Sequence, residues 1–181
     1  MTQARYSSVA MLFHWLIAIA VIVNWRIAES TENLEIAEKM RVMDQHKALG
    51  IVILILTVLR LLWRLAKAPP PLASTLKPWE RTFAKTVHIL FYVLLIGLPL
   101  GGWLGQSFYG LALDVFGAFT LPALPVGKNP ELGHTIFEAH ATGGTVILAL
   151  IVLHVLGALK HTFIDKDGNL FRMLPFGTPK A

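Results

Sequence analysis

Residues 139–161 read AHATGGTVILALIVLHVLGALKH, and this stretch decides the fold. Between Glu138 and Lys160 no side chain is charged, and an apolar span of that length suits a helix crossing a bilayer, which needs ~20 residues. The stretch carries histidines at 140, 154 and 161. At ~100° per residue, His140 and His154 project within ~40° of each other and lie ~21 Å apart along the axis. His161 follows on nearly the same stripe. Imidazole inside hydrocarbon is costly and marks a functional partner. A single such histidine is ordinarily bonded to neighbouring backbone. Two on one stripe, near opposite ends of one helix, point to two stacked ligand positions.

The rest of the chain is built to match. Of its 181 residues 55% are hydrophobic and 15% charged, and the mean hydropathy is +0.60. One membrane domain spanning residues 1–181 is expected, with the lipid bilayer as its first partner. The net charge of +5 reads as basic loops on one membrane face rather than a nucleic-acid footprint. With no cysteine, disulfides, thiolate-bound clusters and covalently attached haem are excluded. Histidine, methionine and carboxylate remain to hold a metal.

Three further apolar segments accompany the first: one between Arg5 and Arg26, one after Lys47 with Arg60 in its final third, and one from about Thr86 to Gly105. The N-terminal segment is longer than a signal-peptide core and is expected as a retained helix. The reading is an all-α, integral membrane four-helix transmembrane bundle, with helices near 7–27, 46–66, 83–106 and 136–162. Between Arg60 and Lys85 six bases face the single acid Glu80, and the C-terminal tail is also basic. By the positive-inside rule both termini and the second loop are cytoplasmic. In the first loop, STENLEIAEKM is expected as a short surface helix. The proline-rich third loop is expected to be irregular.

Topology then sorts the histidines by depth. His14 and His154 lie toward the cytoplasmic surface, and His46 and His140 toward the outer one. Two bis-histidine pairs result, an arrangement that suits electron transfer by b-type haem. Four residues after each proposed ligand stands a small side chain: Ala18, Gly50, Gly144 and Ala158, with Gly143 and Gly157 adding space beside the last two. Residues at i+4 share a helix face, so bulk there would strike a flat macrocycle; close helix packing explains small residues too. Arg60, fourteen residues after His46, falls near the inner level, where it either pairs with a haem propionate or snorkels to the headgroups. His88 is a propionate or quinone contact or an ordinary interfacial histidine, and His134 a loop residue.

FHWLIA around His14, MDQHKALG around His46, LRLLWRL before the proline run, VHILFYVLLIGLPLGGW, AHATGG, LHVLGALKH and the tail DKDGNLFRMLP together resemble the bacterial di-haem cytochrome b-561 family, which includes superoxide oxidases. The resemblance covers nearly the whole chain. It implies two haem b groups in an inner-membrane bundle, one on His14 and His154 and one on His46 and His140, the four being axial iron ligands. It further implies exchange with ubiquinone, with His161 at the quinone neighbourhood, and superoxide as the periplasmic electron donor. One departure concerns charge. A surface that gathers superoxide should be electropositive, whereas Arg26 to Lys47 carries four bases and five acids. A cytochrome b subunit serving a separate periplasmic redox protein is therefore the second reading. A histidine-bearing metal or proton transporter, or a scaffold, is a remote third.

Overall fold

The computed structural model describes residues 4–73 and 75–178. Among them are four long helices: α1 (Ser8–Glu29), α2 (Ile36–Ala66), α3 (Pro78–Phe108) and α4 (Pro130–Phe163). A two-stranded hairpin, β1 (Leu113–Val115) and β2 (Phe119–Leu121), lies between α3 and α4, and a 3₁₀ turn, Asn169–Met173, follows α4. All four helices are long and apolar enough to cross a membrane. Large apolar side chains such as Leu12, Ile19, Val93 and Val152 stand on the outside, the surface expected of a bundle whose solvent is lipid. The chain is an all-α transmembrane bundle.

Local chemistry sets the ends. The Ser7 hydroxyl accepts the Ala10 N–H and opens α1. Asn129 Oδ1 accepts the Leu132 N–H at 3.1 Å, ahead of Pro130, and opens α4. At α3, Pro78 occupies the first turn and Glu80 accepts the Lys77 N–H at 2.8 Å. Each side chain satisfies a donor that the first turn leaves free.

Two expectations are corrected. The segment read as a separate surface helix divides: residues 30–34 form turns, and residues 36–40 are the start of α2, which begins at Ile36. Its 31 residues give a rod of ~46 Å against a hydrocarbon thickness of ~30 Å, so its first turns project. No glycine or proline between Ile36 and His46 stops the helix. In the third loop residues 122–129 are irregular, as expected, but a hairpin precedes them. Leu113 pairs with Leu121 and Val115 with Phe119, the Asp114 carboxylate accepts the Gly117 N–H at 2.8 Å, and Gly117 takes a φ of 70°. Leu113 and Val115 bury themselves against Ala48 and Ile51 of α2. The hairpin thus caps one end of the bundle. We call this the hairpin end.

The opposite, terminal end is closed by the tail. Arg172, 4% exposed, donates to the Ala4 carbonyl at 2.9 Å and the Pro71 carbonyl at 2.6 Å. Trp15 Nε1 donates to the Met173 carbonyl at 2.8 Å. One arginine therefore joins the N-terminus, the proline loop and the tail.

Helix packing is uneven. The backbones of α1 and α2 pack closely, as do those of α3 and α4, with α2 against α3 between them. Glycines explain the α3–α4 contact. A Cβ on Gly105 would stand 2.7 Å from the Phe137 ring, and one on Gly133 2.6 Å from Tyr109. Along the seam between α4 and the α1–α2 pair, close backbone approaches are sparse. The histidines project into that seam.

Candidate functional site

His46 on α2 and His140 on α4 bring their ring centres to 5.9 Å at the hairpin end. His14 on α1 and His154 on α4 stand 6.2 Å apart at the terminal end. Two imidazoles sharing one metal at the usual ~2.0–2.1 Å bond length hold their ring centres roughly 6 Å apart. Both pairs have that spacing, and both bridge the seam where backbones stay apart. Fourteen residues of α4 put the two levels ~21 Å apart.

The hairpin-end pair is fixed in a ligating tautomer. His46 Nδ1 lies 3.1 Å from the Asn24 carbonyl, and His140 Nδ1 lies 2.9 Å from the Leu98 carbonyl. A carbonyl only accepts, so each Nδ1 carries the proton and each Nε2 keeps its lone pair. Outer hydrogen bonds of this kind orient metal-binding histidines and raise their basicity. Gly102 lets the His140 ring lie against α3, since a Cβ there would meet the ring at 3.4 Å. Pro99, inside α3, removes one backbone donor from the same turn.

The terminal-end group is differently held. Arg60 Nη1 sits 3.0 Å from His14 Nδ1. Guanidinium donates only, so in this contact Nδ1 accepts, and a neutral ring keeps its proton on Nε2. Ligation through Nε2 requires Arg60 to exchange His14 for another acceptor. His88 approaches His154 to 5.8 Å and Phe91 approaches it to 5.6 Å. Three imidazoles therefore meet at this level. The backbones of α3 and α4 pack closely, whereas close backbone approaches between α1 and α4 are sparse.

The small residues divide by face. A Cβ on Gly144 or Gly157 would meet nothing within 4 Å, so space exists beside His140 and His154. Gly143 does not share it: a Cβ there would stand 2.5 Å from Leu98 Cδ2. It serves helix packing, which corrects its expected role as a space beside the ligand. A Cβ on Gly50 would touch the Asn24 amide at 3.8 Å.

His161 lies outside both pairs. Its Nδ1 stands 2.9 Å from Asp165 and 3.0 Å from the buried Asp167, and Thr75 donates to Asp167 at 2.9 Å. Both carboxylates accept, so Nδ1 carries a proton. His134 is exposed, 3.8 Å from Glu138.

Asn24 was missed from the sequence. It is buried, its carbonyl holds His46, and its Oδ1 has no partner among the described residues. A polar side chain near the end of the run MLFHWLIAIAVIVNW was the available signal. Thr57 Oγ1 and Tyr92 Oη are also buried without partners among the described residues. Paired imidazoles, slots beside them, and an arginine at one pair form a donor set that fits haem b, with its apolar ring and two carboxylates.

Comparison with known proteins agrees. The family model described as prokaryotic cytochrome b561 matches residues 5–176. Cytochrome b561 homolog 2 of Escherichia coli is 32% identical over 177 residues, covering 96% of this chain and 93% of that protein. A probable superoxide oxidase CybB of Yersinia pestis is 29% identical over 171 residues, 94% of this chain and 96% of its own. Cytochrome b562 of Cereibacter sphaeroides is 26% identical over 181 residues, 96% of this chain and 98% of that one.

Proposed function

Because this chain belongs to the prokaryotic cytochrome b561 family, a family of haem-containing membrane electron-transfer proteins, we propose that it is a di-haem b oxidoreductase of the bacterial inner membrane. It moves electrons between the periplasmic side and the quinone pool, oxidising superoxide and reducing ubiquinone. The observation that carries the reading is the stacking of two histidine pairs, 5.9 and 6.2 Å between ring centres, along a seam that helix backbones leave open.

In this reading His46 and His140 hold one haem and His14 and His154 the other. Bound there, haem b supplies a one-electron carrier at each level. Asn24 and Leu98 fix the ring orientation of the first pair through their carbonyls. Arg60, a donor only, turns from His14 to a propionate carboxylate. His161, with its Nδ1 proton held by Asp165 and Asp167, presents Nε2 as a proton acceptor and donor at the quinone. Two superoxide ions and one ubiquinone, with two protons, give two dioxygen molecules and one ubiquinol, so electrons and protons balance. The basic loops and tail set both termini in the cytoplasm, and the hairpin end then faces the periplasm.

One observation favours a second reading. The segment Arg26 to Lys47, four bases against five acids, is a poor collector of an anion. A cytochrome b subunit that exchanges electrons with a periplasmic redox protein needs no such collector. The purified protein, given superoxide and a short-chain ubiquinone in detergent, separates the two. Ubiquinol formation with transient reduction of both haems is expected. Haems that superoxide fails to reduce would favour the subunit.

A further inference from the structure

Two adjoining cavities open at the terminal end, between the ends of α1 and α2, the start of α3 and the proline loop. Their volumes are about 400 and 350 Å³. Tyr6, Arg64, Pro69, Pro70 and Tyr92 belong to both, so they form one cleft with two lobes.

Its charge has a single sign. Lys85 and Arg64 line the first lobe, and Arg5, Arg60, Arg64 and Lys67 line the second, with no aspartate or glutamate among the described residues of either. Arg64, Lys67 and Lys85 have no carboxylate partner among the described residues. Basic residues at this membrane face are expected from topology alone. Convergence from two different helices around a buried hydroxyl is not. Tyr92 Oη, shared by both lobes, is buried without a hydrogen-bond partner among the described residues. Leaving such a group unpaired costs ~1–3 kcal/mol, and an anionic oxygen is the acceptor it lacks.

Both lobes also reach the histidines. His88 lines the first and lies 5.8 Å from His154. Arg60 lines the second and lies 3.0 Å from His14. The ligand of this cleft is therefore an anion with two arms that is continuous with whatever His14 and His154 hold. Haem has two propionates at one edge of an otherwise apolar disc.

We propose that the cleft is the propionate site of the haem between His14 and His154. Arg64, Lys85 and Tyr92 receive one carboxylate, and Arg60, Arg64 and Lys67 receive the other. The inference rests on the di-haem reading above and extends it to Arg64, Lys67, Lys85 and Tyr92. Positive charge beside a haem favours its reduced form, which has one more electron. The same residues therefore set that haem's potential above what the histidine pair alone would give.

The test is spectroelectrochemical titration of the holo-protein with haem quantification, comparing wild type with R64Q, R64K, K85Q and Y92F. The haem that survives in H46A identifies the terminal-end signal. R64Q should lower its reduced-to-oxidised ratio at fixed potential by roughly three- to tenfold, the scale of one unit charge at an effective dielectric of ~20, while the other haem stays put. R64K should recover most of the shift, and K85Q and Y92F should move it the same way; these two carry the test if R64Q does not fold. K128Q, at the hairpin end, should leave that signal unmoved.

Two haems with unmoved potentials in R64Q, K85Q and Y92F would overturn the propionate assignment and leave the di-haem reading standing. A protein without haem would overturn both. Stabilisation by phosphatidylglycerol over phosphatidylcholine vesicles, lost in R64Q while the potentials stay fixed, would assign the cleft to a lipid phosphate instead and refute the proposal.

Discussion

Gly143 and Gly144 are neighbours with opposite predicted behaviour. A Cβ on Gly144 meets nothing within 4 Å, although the residue is half-buried. Leucine there replaces glycine in a helix interior, a gain of up to ~1 kcal/mol, and its Cβ meets no neighbour. The G144L protein should therefore fold, and in the absence of haem it should be at least as stable as wild type. In the proposed reading its side chain fills the space beside His140 and should exclude the haem assigned to His46 and His140. Gly143 differs because a Cβ stands 2.5 Å from Leu98 Cδ2. Overpacking costs ~1–3 kcal/mol, against which the helix gains ~1 kcal/mol. The G143A protein should lose ~0–2 kcal/mol in stability and keep both haems. Thermal unfolding in detergent and haem per chain from the pyridine haemochrome spectrum check both variants. Retention of both haems by G144L, or haem loss confined to G143A, would refute the assignment of an open slot to Gly144.

Other perturbations probe other parts of the account. The G102V substitution pushes the His140 ring off the Leu98 carbonyl, and outer hydrogen bonds of this class support metal affinity by ~10- to 100-fold; equilibrium haem titration should show that loss at one site only. R172A removes two charge-assisted bonds from carbonyls of the N-terminus and the proline loop, each worth ~1.5–3 kcal/mol; faster proteolysis near Arg5 and a lower melting temperature are expected. D167N leaves His161 with a weaker proton anchor and should slow ubiquinol formation while leaving the spectra of both haems unchanged. Altered haem spectra would show that Asp167 acts on the bundle instead.

Much of the architecture was legible because membrane helices announce themselves one segment at a time. Charge-free runs and periodic histidines place residues such as His14 and His154 at a common depth before any packing is known. The extension of α2 was hidden by composition: Ile36 to Asp44 is polar enough to read as surface, yet contains nothing that breaks a helix. Three-residue strands such as Leu113–Val115 are too short for an alternating pattern, although Asp114 before Gly117 is turn chemistry. The carbonyls of Asn24 and Leu98, and the anchoring of Arg172, are backbone partners distant in sequence. No side-chain pattern encodes them. Gly143 and Gly144 both look like space in a sequence, and only the neighbouring helix decides which one is filled.

The most direct test of the central claim is haem stoichiometry with a redox titration of wild type, H46A and H140A. The account predicts two low-spin b haems per wild-type chain, two resolvable potentials, and loss of the same haem in both variants. A haem-free wild type, or loss of different haems in H46A and H140A, would contradict it.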